Sequence, residues 1–236
     1  FARTADGSAV SDDSVLGEVL FMGEGNNALL KAASVRAEVD GAPGASDMPG
    51  RLVFSTVADG SATLSERARF TNDGRLLVNT TDSRNVGGGV SRLVQVESSG
   101  GAAGISIVRN QNAATPPTLD LGKSRGYPHT IVQDDDKLGI INFCGADGTD
   151  LQTSAAQIVG EVDGTPGADD MPGRLVFKTN NGTTFSSERL QITSTGNIIS
   201  NGGSTARIAW GTTGGVLYSG FSRYDGAAQD VGISHY

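Results

Sequence analysis

The sequence is poor in the residues from which disulfide frameworks, zinc sites and aromatic cores are built. It contains one cysteine, Cys144, so no disulfide can form within the chain and a cysteine-based zinc site is excluded. Aromatic residues make up only 6% of the 236 residues, and histidine occurs twice. No run approaches the length of about 18 apolar residues that a membrane-spanning helix needs. We therefore expect neither a disulfide-stapled domain nor a membrane span.

Glycine, by contrast, is abundant. The chain has 34 glycines, roughly twice the usual share, and 37% of its residues are hydrophobic. Glycine loses much backbone freedom on folding, and few large side chains are present to offset that loss. Such chains are typically stabilised by repeats that cover one another or by an oligomer that shares its core. The net charge of −8 repels phosphates, so no nucleic-acid partner is expected.

A block of 17 residues occurs twice with only two differences. Residues 38–54 read EVDGAPGASDMPGRLVF, and residues 161–177 read EVDGTPGADDMPGRLVF. Weaker matches extend the repeat on both sides. The predicted organisation is an N-terminal linker (1–15), repeat unit 1 (16–80), a β spacer (81–137), repeat unit 2 (138–202) and an aromatic-rich C-terminal cap or tip (203–236). Because the chain starts without Met and without a leader, we expect it to be a piece or a processed product.

Hydrophobic residues alternate with polar ones within each unit. Val35, Ala37 and Val39 alternate with Ser34 and Arg36, which is typical of strands with one buried face. Each unit also holds a predicted hairpin, whose turn is Asn72-Asp73-Gly74 in unit 1 and Ser194-Thr195-Gly196 in unit 2. In and after the spacer the predicted strands are 92–97, 104–109, 118–122, 129–133 and 138–144. The fold class is therefore mostly β with almost no helix.

The loops 40–50 and 163–173 combine proline, glycine and carboxylates. Glu38, Asp40 and Asp47 offer oxygens that suit calcium, but their spacing fits no EF-hand. Proline and glycine instead favour a turn with a defined path, so we predict a structural loop with no metal and no cofactor.

Two charged positions recur in both units. Arg51 and Arg174 start equivalent strands, and Glu66 and Glu188 lie in the strands that follow. We predict that these residues form cross-strand or cross-subunit ion pairs that fix the register. No nucleophile motif, HExxH motif or phosphate loop is present, so we predict no catalytic residue and no enzyme activity. A polysaccharide depolymerase is a weaker hypothesis.

The repeats resemble those of tailed-bacteriophage tail fibre and tail spike proteins. The resemblance is carried by DMPGRLVF in both copies, and in the spacer by SRLVQVESS at 91–99 and KLGIINFCGADGTDL at 137–151. In such proteins these repeats often precede a C-terminal self-cleaving chaperone domain, which we expect beyond Tyr236 if it is present. The resemblance implies an elongated, homotrimeric protein on the virion. A β-prism, an intertwined β-helix and small β-sandwich units all fit the pattern.

The resemblance also implies a role in host attachment through a fibre or spike. The alternative is a decoration protein on the capsid or tail that binds other virion proteins. Five of the chain's 13 aromatic residues lie in its last 27 residues. They are candidates for contact with a host-surface glycan or protein, and the competing interpretation is a small core that caps the repeats. These residues are Trp210, Tyr218, Phe221, Tyr224 and Tyr236.

Overall fold

The computed structural model describes residues 8–101, 103–183 and 185–201, and the backbone of 209–212 and 215–218. The chain divides into two compact units, Phe1–Thr118 and Leu119–Tyr236. Every regular element in the described ranges is a β-strand. The prediction of a mostly β chain is therefore confirmed.

The first unit contains one open sheet of six strands in chain order. Its neighbours are antiparallel except for the last pair, which is parallel. The strands are β1 (Val15–Gly25), β2 (Ala28–Val39), β3 (Gly50–Val57), β4 (Leu64–Phe70), β5 (Leu76–Val78) and β6 (Val94–Val96).

The second unit contains an open antiparallel sheet of five strands, again in chain order. A separate antiparallel hairpin follows it. The sheet consists of β7 (Lys137–Cys144), β8 (Ser154–Val162), β9 (Gly173–Thr179), β10 (Ser187–Ile192) and β11 (Ile198–Ser200), and the hairpin of β12 (Ala209–Thr212) and β13 (Gly215–Tyr218).

The two copies of the repeat adopt the same local structure. Both predicted hairpins are present, as β4–β5 and β10–β11. Gly74 and Gly196 take positive φ angles of 79° and 83° in their turns, which glycine adopts without strain. The turn residues therefore act as the sequence predicted.

The spacer departs from the prediction. The strand expected at 92–97 is shortened to β6, and the one at 138–144 is β7. The segments 104–109, 118–122 and 129–133 are not strands. The pattern of 104–109 resembles that of a strand, but a strand also needs a neighbour that forms the ladder of backbone hydrogen bonds. In 104–109 the apolar side chains are exposed to solvent, with Ile105 and Val108 78% and 70% exposed, whereas Val132 in 129–133 is buried.

Each large sheet has two different faces. In the first unit, the strand register places one set of apolar residues on one side, here called the apolar face. It includes Val19, Phe21, Val35, Ala37, Leu52, Phe54, Ala68, Phe70, Leu76, Val78, Val94 and Val96. The opposite side, the charged face, includes Glu18, Ser34, Arg36, Glu38, Arg51, Val53, Ser55, Glu66, Arg69, Leu77 and Gln95.

The second sheet repeats this division. Its apolar face carries Ile141, Phe143, Ala156, Ile158, Leu175, Phe177, Leu190, Ile192 and Ile198. Its charged face carries Ile140, Asn142, Gln157, Val159, Glu161, Arg174, Val176, Lys178 and Gln191. Six large side chains among the described residues are fully buried. Four lie on the charged faces, Val53, Leu77, Val159 and Val176, and two end β2 and β8 on the apolar side, Val39 and Val162.

Candidate functional site: a repeated arginine–carboxylate cluster

The most heavily hydrogen-bonded polar group of the first unit surrounds Arg51, the second residue of β3. Its Nε donates to Oε2 of Glu38 at 2.7 Å, across the register pair of β2 and β3. Its Nη1 donates to Oδ1 of Asp40 at 3.1 Å, and its Nη2 donates to Asp13 in the turn before β1. Cluster 1 is defined as Asp13, Glu38, Asp40 and Arg51.

The second unit builds the same group around Arg174. Its Nε donates to Oε2 of Glu161 at 3.1 Å, its Nη1 to Oδ1 of Asp163 at 3.2 Å, and its Nη2 to Oδ1 of Asp135 at 2.6 Å. Cluster 2 is therefore Asp135, Glu161, Asp163 and Arg174. The duplication in sequence thus reproduces a complete side-chain arrangement.

The electrostatics of the two clusters agree with their geometry. Burial opposes the charged form of Arg51, but hydrogen bonds to Asp13, Glu38 and Asp40 outweigh it and raise the pKa of the guanidinium. The hydrogen bond to Asp135 is the largest cause of the raised pKa of Arg174. The same contact with Arg51 lowers the pKa of Asp13 below its ordinary value. These groups are therefore held in their charged forms.

The clusters also fasten the neighbouring loops. The second carboxylate oxygen of Asp40 accepts from the backbone N–H of Asn72 at 2.7 Å, in the β4–β5 turn. In the second unit, Asp163 accepts from the N–H of Ser194 at 2.8 Å. This bond is the largest cause of the lowered pKa of Asp163. Each cluster thus joins a strand pair, the glycine- and proline-rich loop and a hairpin turn.

The buried glutamates receive their second cation from different strands. Oε1 of Glu38 lies 2.5 Å from Nε of Arg36 in β2. Oε1 of Glu161 lies 3.4 Å from Nζ of Lys178 in β9. The positions equivalent to Arg36 and Lys178 in the other copy are Val159 and Ser55. A cation lost from one strand is therefore replaced from the neighbouring strand, because a buried carboxylate needs compensation.

The other predicted charged pair does not join these clusters. Glu66 accepts from its own strand neighbour Arg69, at 2.5 Å from Nε and 2.7 Å from Nη2. Glu188 accepts instead from the side-chain amide of Asn201. In the described part of the chain, neither glutamate forms an ion pair with Arg51 or Arg174.

Sequence reasoning assigned the aspartates before each sheet no part in the repeat. The pairs Asp12-Asp13 and Asp134-Asp135 are 122 residues apart, and the matches downstream of the main block have the same offset. That shared offset of 122 residues was the available signal. The structure shows its meaning, because Asp13 and Asp135 bind the two arginines, and Asp12 accepts from the N–H of Gly41 at 2.7 Å.

The clusters are sets of hydrogen-bonded ion pairs that hold neighbouring strands and loops together. Of the three carboxylates considered as calcium ligands, Glu38 and Asp40 are hydrogen-bonded to Arg51. In the part of the chain that the structure describes, no group of three or more His, Cys, Asp or Glu side chains is arranged to hold a metal ion. The same ranges contain no helix with the length and apolar character to cross a membrane.

The five aromatic residues predicted to contact a host surface lie in the last hairpin, β12–β13, or after it in the sequence. Trp210 is in β12, opposite Leu217, and Tyr218 ends β13, opposite Ala209. Their side chains lie outside the described residues. Phe221, Tyr224 and Tyr236 lie there entirely. Their proposed contact with a host surface stays a prediction.

Comparison with known proteins places the fold. No family model and no curated protein matches the sequence. The structure is similar to the C-terminal domain of the bacteriophage T5 L-shaped tail fibre, with a TM-score of 0.73, 14% identity, and coverage of 97% of this chain and 93% of that one. It is also similar to that domain with its intramolecular chaperone domain, with a TM-score of 0.75 and 13% identity, covering 100% of this chain and 64% of that one. The resemblance read from the repeats is therefore confirmed as a likeness of fold: this chain has the β fold of a phage tail-fibre C-terminal domain.

Proposed function

We propose that this chain is a structural segment of a bacteriophage tail fibre or spike, which assembles on the virion as a homotrimer and takes part in host attachment. The observation that carries the proposal is the fold shared with a tail-fibre domain along nearly the whole chain. The repeated DMPGRLVF blocks support it independently, because they resemble fibre repeats.

Self-association is supported by the exposed apolar residues. A sheet with one apolar face is stable in water when that face is covered by another layer. In the first unit the described residues form a single sheet, and Phe21 and Phe70 on its apolar face are 52% and 43% exposed. The exposed segment 104–109 also has an alternating pattern, and no strand among the described residues pairs with it. In the proposed assembly, other copies of the chain supply both the layer that covers the apolar face and the strand partner for residues 104–109.

The proposed role is non-enzymatic. The polar residues that recur in both units are engaged with one another, as Arg51 with Glu38 and Arg174 with Glu161. A group engaged in this way holds strands in register, and it is not free to accept a substrate proton. Incubation of the purified chain with host capsule polysaccharide is expected to release no new reducing ends. Their release would contradict this part of the proposal.

Oligomeric state provides the main test. Light scattering on the purified chain is expected to give three times the mass of one chain across the micromolar range. A stable monomer contradicts the proposal. Attachment is tested by adding the purified oligomer to host bacteria before the phage that carries it, where competition is expected to reduce adsorption. Undiminished adsorption would remove attachment while leaving the structural role.

A further inference from the structure

The two faces of each sheet differ in how well the chain covers them. On the charged face of the first sheet, Val53 and Leu77 are fully buried and Glu38 is 4% exposed. On the apolar face, Phe21 is 52% exposed and Val94 57% exposed. The middle of the charged face is therefore buried, whereas much of the apolar face is exposed to solvent.

The charged face is covered by its own long side chains and by a loop. Val53 lies between Arg36 and Arg69 in the register, so the alkyl stems of these arginines can shield it. The loop between β5 and β6 folds over the same side, where the N–H of Arg84 donates to Oε1 of Gln95 at 2.9 Å.

The second sheet shows the same asymmetry. Val159 and Val176 on its charged face are fully buried, and Glu161 is 5% exposed. On its apolar face, Ile141 is 47% exposed and Phe143 is 52% exposed. A pattern that occurs at equivalent positions in two copies of one repeat is a property of the repeat itself.

We propose that the apolar faces are the contact surface between copies of this chain, and that the charged faces stay outside the contact. The inference rests on the self-association in the proposed function and assigns it to particular side chains. The partner is a second copy of the same face.

The size of the surface agrees with such a contact. If each half-exposed apolar side chain leaves about 70 Å² in water, six of them leave roughly 400 Å² on the first sheet and five leave roughly 350 Å² on the second. Two sheets then offer about 750 Å² per chain, which is close to one partner's share of a standard stable interface. The six counted on the first sheet are Val19, Phe21, Leu52, Phe70, Val94 and Val96.

Charge favours a copy that docks through this face. The chain carries a net charge of −8, so two copies repel each other wherever their carboxylates meet. The clustered carboxylates lie on or beside the charged faces, and contact through the apolar faces keeps them apart. The repeated cations Arg67 and Arg189 lie at one end of the apolar faces, where each Nε donates to a threonine hydroxyl, Thr56 at 2.9 Å and Thr179 at 3.0 Å.

Neighbouring residues of one strand provide a matched test. Ile140 and Ile141 in β7 are 37% and 47% exposed, but they point to opposite faces, because Ile140 pairs with Val159 and Ile141 with Ile158. In the full chain, Ile141→Ser is expected to weaken self-association at least tenfold in a light-scattering dilution series. Ile140→Ser is expected to leave it within about twofold of the unsubstituted chain. Equal effects of the two substitutions overturn the assignment of the face.

A second measurement covers the case in which Ile141→Ser fails to fold. In a Cys144→Ser background, single Ile141→Cys and Ile140→Cys variants are treated with a maleimide as assembled protein. The thiol at position 141 is expected to react at least tenfold more slowly than the one at position 140. Equal rates in an assembled protein overturn the face assignment alone. An unsubstituted chain that is monomeric contradicts both this inference and the proposed homotrimer.

Discussion

Glu38 and Arg51 face each other across β2 and β3, and Nε of the arginine lies 2.7 Å from Oε2 of the glutamate. Both side chains are almost entirely removed from water, at 5% and 9% exposure. Glu161 and Arg174 hold the equivalent positions 123 residues later. A buried ion pair that is duplicated in this way makes the stability of each unit sensitive to either partner.

Loss of the arginine is expected to be severe. Arg51→Met leaves Glu38 with Arg36 as its only remaining ion-pair partner of those described, and it is expected to lower the free energy of unfolding by about 3 kcal/mol. Urea unfolding at a fixed protein concentration measures the change. Arg84→Met is the control, because the Arg84–Glu97 pair is about half exposed, and a change under about 1 kcal/mol is expected there. Similar losses in both variants would show that the burial of the pair is unimportant.

The alternative cations should be interchangeable. Arg36→Val removes the second cation from Glu38 and is expected to destabilise the chain. Adding Ser55→Lys copies the arrangement of the second unit, where Lys178 serves Glu161 from the adjacent strand. We expect the double variant to recover at least half of the lost unfolding free energy in a double-mutant cycle. Additive losses would mean that the two copies are not equivalent.

Low pH is expected to reduce the folding stability of the chain by protonating its ion-paired aspartates. The hydrogen bond from Arg125 is the largest cause of the lowered pKa of Asp136. A carboxyl whose pKa is lower in the folded state than its ordinary 3.8 contributes stability that is fully present above pH 3.8. This contribution is lost as the pH falls through the folded pKa. The stability difference between the unsubstituted chain and Asp136→Asn should therefore be constant above about pH 5 and shrink below about pH 4.

Chemical denaturation between pH 2.5 and pH 7 measures that difference. Asp59→Asn is the matched control, since Asp59 is an exposed turn residue. Its substitution is expected to change the pH profile little. If the difference for Asp136→Asn stayed constant down to pH 2.5, its contact with Arg125 would carry no pH-dependent stability.

The hairpin turn should tolerate asparagine better than alanine. Gly74 has a φ of 79°, and no heavy atom lies within 4 Å of a Cβ built there. The only obstacle to a side chain is therefore the backbone conformation. Gly74→Ala is expected to cost about 1 kcal/mol and Gly74→Asn less, because asparagine visits this conformation more readily. Thermal unfolding of the two variants compares them, and a larger loss for asparagine would contradict the argument.

The sequence by itself determined the strand-rich class, the repeat and the hairpin turns. Alternation at Val35, Ala37 and Val39 encodes a two-faced strand, and Gly74 and Gly196 encode the turns, because these signals act over a few residues. The spacer shows the limit of such signals. Residues 104–109 alternate as a strand does, yet they form none, because pairing depends on a neighbour that local sequence does not supply.

The tertiary structure alone decided which charges meet and which face is covered. Arg51 binds Asp13, 38 residues earlier, and leaves Glu66, 15 residues later, to Arg69. In the same way, the tertiary structure buries Val53 completely and leaves Phe21 half exposed to solvent. Both outcomes follow from contacts between residues distant in sequence. The alternation had identified two faces, but only the folded sheet showed that the charged face is the one the chain covers with its own side chains.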